Sequence, residues 1–110
     1  MKGSKYLGEL EQMVLLAVLQ LGEEAYGTSV MDELGRRADR KVSRGALYVT
    51  LDRLEEKGMI SSTIGDPTPG RGGKPKRYLG VTRVGLEELR RSREAWMRLW
   101  DGLESVLEKK

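Results

Sequence analysis

A chain of 110 residues supports one small domain and one extra element, and is too short for most enzyme folds with an enclosed site. It contains no cysteine and no histidine, which removes disulfides, Cys/His zinc sites, thiol nucleophiles and histidine acid–base chemistry. Net charge is only +3, so the information lies in how charge is distributed. Tyr6 to Leu34 holds six acids and no base, whereas Arg36 to Arg44 holds five bases against Asp39 alone.

The first helix is expected from about Glu9 to Leu21, with Gly22 as a left-handed stop. Its centre, Met13 to Leu19, is apolar on every side, so it needs cover on two sides: its own core, and a second element or subunit. The run is seven residues, far below the ~20 needed to span a membrane. With no charged segment and cleavage motif before it, neither a signal peptide nor a membrane partner is expected, and the reading is a cytoplasmic protein.

A second helix is expected over roughly Tyr26 to Ala38, with Val30, Met31 and Leu34 inward. Asp32 with Arg36 and Glu33 with Arg37 have the acid-first i, i+4 order that favours ion pairs. Lys41-Val42 is a candidate for a brief strand that joins the sheet formed further along the chain. Ser43 is the expected N-cap of a third helix, whose buried stripe is Leu47, Leu51 and Leu54 and whose end is Gly58.

Strands follow at Met59 to Gly65 and Lys76 to Val81, joined by a ten-residue tip that holds all three prolines. Tip and second strand carry Arg71, Lys74, Lys76 and Arg77, with no acid after Asp66. A compact helix followed by a basic hairpin is the layout of a winged helix-turn-helix, a mainly α (α+β) fold. In that design the helix enters the DNA major groove and the hairpin, or wing, grips the flanking backbone. Two basic clusters bracketing one helix favour a polyanion partner, double-stranded DNA.

The helix face opposite the leucines carries Gly45, Val49, Asp52 and Arg53, with Arg44 and Tyr48 at its start and flank. Val49 suits a thymine methyl, and Arg44 or Arg53 suits guanine or phosphate. Tyr48 suits a phosphate, unless Tyr48 and Val49 merely cover core edges. Lys41, Ser43 and Gly45 complete the DNA-binding set with Arg71, Lys74, Lys76 and Arg77. The Gly-rich tip is not a phosphate loop: Arg71-Gly72 follows Gly70 where Lys-Ser or Lys-Thr is required, and no helix follows. No carboxylate pair or activated nucleophile stands out, so no enzyme, metal or cofactor is expected.

Thr82 should cap a last helix that runs to the end of the chain. Leu86, Leu89, Arg93, Trp96, Trp100, Leu103 and Leu107 repeat with 3, 4, 3, 4, 3, 4 spacing, a heptad seam with one polar interruption. Such a helix is ~40 Å long at about 1.5 Å per residue and outreaches its own domain. A symmetric homodimer through this seam, docked on the back of the first helix, is the expectation. The division is thus 1–81 for DNA binding and 82–110 for dimerisation.

Leu10 to Leu21 with Ala25-Tyr26-Gly27, Ser43 to Gly58, Gly72-Gly73-Lys74-Pro75-Lys76-Arg77-Tyr78 and Val81 to Gly85 together resemble PadR-family transcriptional regulators over nearly the whole chain. The resemblance implies a bacterial winged-helix dimer that represses at a palindromic operator near a promoter. The single C-terminal helix resembles the family's short class. Some members of that class hold flat aromatic compounds between their subunits near a tryptophan of the last helix, and Trp96 and Trp100 match in type and region. Other readings of the same residues are a winged helix used to bind proteins, and a sensor or carrier of hydrophobic small molecules.

Overall fold

The structure, a computed structural model, describes residues 7–65 and 75–108. Arg71 and Lys74 lie outside the described residues. Three helices, α1 (Glu9–Leu21), α2 (Gly27–Ala38) and α3 (Arg44–Glu56), precede a hairpin of β1 (Ile60–Ile64) and β2 (Arg77–Val81). Then come α4 (Arg83–Trp100) and the short α5 (Glu104–Glu108). This is the winged helix-turn-helix order.

Each boundary has a local cause. Glu11 reaches back to the Gly8 N–H at 3.0 Å, and Glu9 and Glu11 sit at the positive end of the α1 dipole. Gly22, at φ +59°, stops α1 in a conformation open to glycine. The Tyr26 N–H donates to Ser29 Oγ at 3.0 Å, so Tyr26 caps α2 from outside and the helix begins one residue later than expected. Ser43 Oγ accepts from the Ala46 N–H at 3.1 Å at the start of α3, and Thr82 Oγ1 accepts from the Gly85 N–H at 3.1 Å at the start of α4. Thr82 Oγ1 also donates to the Gly58 carbonyl at 2.6 Å, which ties the head of α4 to the tail of α3.

The core is built from Val14, Leu15 and Val18 of α1, Val30 and Leu34 of α2, and Leu47, Leu51 and Leu54 of α3, roofed by Ile60 and Leu79 of the hairpin. Burying each such side chain contributes roughly 1.5–3 kcal/mol, which is why the inward stripes read from the sequence reappear as one cluster. The strands are antiparallel, with Ile60 opposite Val81, Ser62 opposite Leu79 and Ile64 opposite Arg77.

Three expectations need correction. The segment that joins the sheet is not Lys41-Val42 but Ala25-Tyr26, where Tyr26 forms a bridge with Tyr78 and the Leu79 N–H donates to the Ala25 carbonyl at 2.9 Å. The ion pairing on α2 converges on one acid: Glu33 accepts from Arg36 as well as from Arg37, the latter at 2.6 Å, because i, i+3 and i, i+4 neighbours lie on the same face. The last helix does not run on unbroken. It ends at Trp100, Asp101 leaves helical geometry, and Gly102 takes φ +81°, so Leu103 and Leu107 lie outside the α4 stripe that holds Leu86, Leu89, Trp96 and Trp100.

Candidate nucleic-acid interface

The outward face of α3 is what the leucine stripe leaves over. With Leu47, Leu51 and Leu54 fully buried, the helical period turns Gly45, Val49, Asp52 and Arg53 to the outside, and all four are exposed. Lys41, Ser43 and Arg44 are exposed just before them. Arg44 is the first residue of α3, and the first turn carries no acid. A cation there opposes the helix dipole, so local stability does not explain it.

Tyr48 points elsewhere. It is half-buried against the core, and its hydroxyl lies over Gly27 at the first turn of α2. A Cβ on Gly27 would overlap the Tyr48 Oη. The phenol therefore sits beside the N-terminal amides of α2, which form the positive end of that helix.

The stem of the wing is held on both sides. On one side Lys76 Nζ stands 3.7 Å from the centroid of the Tyr26 ring, and Tyr26 meets Tyr78 edge-on at 5.8 Å and 79°. On the other side Arg77 bonds Glu55 of α3 and approaches Asp52 Oδ1 at 3.7 Å, while Ser62 Oγ donates to Glu55 Oε2 at 3.0 Å. Arg77 and then Ser62 hold the Glu55 carboxyl below the ordinary carboxylate range. Of the expected basic residues of the wing, Arg77 is thus brought to α3, and Lys76 to the Tyr26 ring at the head of α2. Glu55 and Ser62 were not read as site residues from the sequence, and Tyr26 and Gly27 entered only through the motif Ala25-Tyr26-Gly27. For Ser62 the signal was the alternation of β1, which puts it on the same face as Ile60.

The second surface lies between α1 and α4. Gly85 and Ser92 are the buried residues of α4, and Leu89 packs on the core. Gly85 permits a close approach, since a Cβ there would come 2.5 Å from the Met59 carbonyl oxygen. The Ser92 hydroxyl is buried without a hydrogen-bond partner among the described residues. Beyond this contact the apolar side chains are left in the open: Leu16 and Leu19 on α1, Leu86, Met97 and Leu99 on α4, and Leu103, Val106 and Leu107 in and around α5. Trp96, 55% exposed, borders a cleft of about 510 Å³ with Leu16, Leu19, Leu86 and Leu89. It also borders one of about 550 Å³ with Leu7, Met13, Leu16 and Ser92. Trp100 sits one turn further on, half-buried, where α4 ends. No helix among the described residues is long and apolar enough to cross a membrane.

A sequence profile of the transcriptional regulator PadR-like family matches residues 15–91. A PadR-like transcriptional regulator from Bacillus cereus is 26% identical, with a TM-score of 0.70 over 92% of this chain and 93% of that one. A PadR family transcriptional regulator from Eggerthella lenta is 31% identical, with a TM-score of 0.65 over 93% and 88% of the two chains. The winged-helix DNA-binding protein F93 of STIV, at 21% identity, shares the fold, with a TM-score of 0.67 over 86% of this chain and 95% of that one.

Proposed function

The chain belongs to the PadR-like family of transcriptional regulators, and from that premise we propose that it represses transcription in the cytoplasm by binding a palindromic operator as a homodimer. The observation that carries this reading is the outward face of α3. Gly45, Val49 and Arg53 are exposed on it, Arg44 stands at its head against the helix dipole, and no packing role accounts for them. Small or short side chains at the head of such a helix allow close approach to base edges. Arg44 and Arg53 supply the donors that read guanine, and Val49 the surface that meets a thymine methyl. Ser43, Lys41 and the Tyr48 hydroxyl beside the α2 amides supply phosphate contacts that set register, and Arg71, Lys74 and Lys76 of the wing extend them.

The homodimer is supported by the apolar residues left exposed around α4. Burial of each leucine or tryptophan would contribute roughly 1.5–3 kcal/mol, a gain that a second copy docked with residues 82–110 can collect. Residues 1–81 then serve DNA and 82–110 serve assembly. The clefts on both sides of Trp96 favour one addition to this reading, a planar aromatic effector held between the subunits by indole stacking.

The test is a gel shift on the DNA upstream of the protein's own gene, repeated across a salt series. Expected is a discrete complex that is lost steeply as salt rises, because bound phosphates release counterions. Binding that ignores salt, or no DNA binding beside tight capture of a hydrophobic ligand, would replace the regulator with a protein-interaction module or a carrier.

A further inference from the structure

The inward face of the wing changes character along its length. Strand alternation puts Ile60, Ser62 and Ile64 of β1 on one face with their partners Val81, Leu79 and Arg77 of β2. Near the base this face is apolar, and Ile60 and Leu79 are buried in the core. Further out it overhangs the C-terminal half of α3, and there it turns polar. Ser62 Oγ donates to Glu55 Oε2, and the Arg77 guanidinium bonds Glu55 Oε1. The same Arg77 nitrogen lies 3.7 Å from Asp52 Oδ1. Each strand of the wing is therefore tethered to a single carboxylate of the helix proposed to enter the groove. Arg77 is 28% exposed, whereas Asp52 is 73% exposed, so the Arg77 side chain is partly covered where it meets Glu55.

Resting on the DNA-binding reading above, we infer that Glu55 is a positioning residue, which with Ser62 and Arg77 fixes the angle between α3 and the wing, and that Arg77 serves this clamp in place of a phosphate. An acid on a DNA-binding helix repels the phosphate backbone and would weaken binding if it did nothing else. Neutralised by Arg77, it instead lets the hairpin sit at one height above the groove while α3 reads bases. Ion pairs this exposed add little to stability, so the clamp should act on binding geometry and hardly on the melting temperature.

The clamp and its rivals predict opposite signs. Affinities for a duplex obtained by selection from random sequence, and for a random duplex, would be measured by fluorescence anisotropy over a salt series, with the melting temperature of every variant as control. Expected is that Glu55→Gln weakens binding to the selected duplex several-fold although it removes a charge that repels DNA. Arg77→Gln should weaken it to the same degree with an unchanged log–log salt slope, and the two changes together should cost no more than either alone. The swapped pair Glu55→Arg with Arg77→Glu should recover much of the loss. Ser62→Ala, which removes one tether and no charge, should give a smaller loss and keeps the test open if Glu55→Gln lowers the melting temperature. Unchanged or tighter binding by Glu55→Gln overturns the clamp, as does a salt slope that shrinks by about 0.9 in Arg77→Gln, the mark of one lost phosphate contact. If the unaltered protein shows no salt-dependent DNA binding, the regulator reading and the clamp fall together, a result visible before any variant is compared.

Discussion

The phenol of Tyr48 fills the space that a side chain at Gly27 would need. Any Cβ at Gly27 would collide with the Tyr48 Oη and lie 2.9 Å from its ring carbon Cζ. Two residues on different helices are thereby locked into a shared choice, and the contact sets how closely the head of α2 approaches α3. Gly27→Ala should destabilise the fold by about 1–3 kcal/mol, the usual cost of overpacking. Tyr48→Ala in the same chain should remove most of that excess, because the clash is with this ring. Urea unfolding of the two single variants and the double variant measures it, and full additivity would mean that the two residues do not interact.

Sequence preference should follow the outward face of α3. Replacing Arg44 or Val49 is expected to change the preferred site more than the affinity for random duplex, at ~1–3 kcal/mol of discrimination for each lost base contact. Binding selections on both variants decide this. A preferred site identical to that of the unaltered protein would return these residues to the role of solvated surface.

Assembly should depend on residues that the isolated chain leaves open. Leu86 is exposed, and Leu99 is 76% exposed, so Leu86→Glu and Leu99→Glu should leave the protomer folded. Sedimentation should show a dimer for the unaltered protein at micromolar concentration and a shift to monomer in the variants. The monomer should bind a palindrome poorly, since a twofold pair of α3 helices needs half-sites about 34–36 Å apart. Variants that stay dimeric would move the interface away from α4.

Stability should fall in acid through two carboxylates, Glu33 and Glu11. Arg37 and Arg36 hold Glu33 below the ordinary range. At Glu11 burial pushes upward, but the hydrogen bonds from Lys57 and the Gly8 N–H, with the nearby positive charges, outweigh it and the pKa is lowered. A carboxylate lowered in the folded state contributes stability above its unfolded value, and that contribution is lost as pH falls through the folded value. The melting temperature should therefore be level down to about pH 5 and drop below about pH 4.3, the ordinary glutamate value. Glu33→Gln should melt lower at pH 7 and lose less in acid. Curves that run parallel in acid would show that Glu33 does not drive the drop.

The hydrophobic periods of α1, α2 and α3, the caps of α3 at Ser43 and of α4 at Thr82, the glycine stops at Gly22 and Gly58, and the paired strands around the proline-rich tip were all legible in the chain. Each depends on residues within a turn or two, where spacing alone decides which side chains share a face. The outward face of α3 followed from the same period, since it is the complement of Leu47, Leu51 and Leu54. What only the tertiary structure decided lies between elements. Ala25-Tyr26, not Lys41-Val42, pairs with β2, because the strand that meets an edge is chosen by how α1 and α2 pack. Arg77 turns to Glu55, twenty-two positions away, and Glu33 gathers both Arg36 and Arg37. An ideal heptad spacing predicted one long helix, and the backbone at Asp101-Gly102 broke it. Spacing records which residues recur along a helix, but a charged side chain has several partners within reach, and only the packed fold brings one of them to bonding distance.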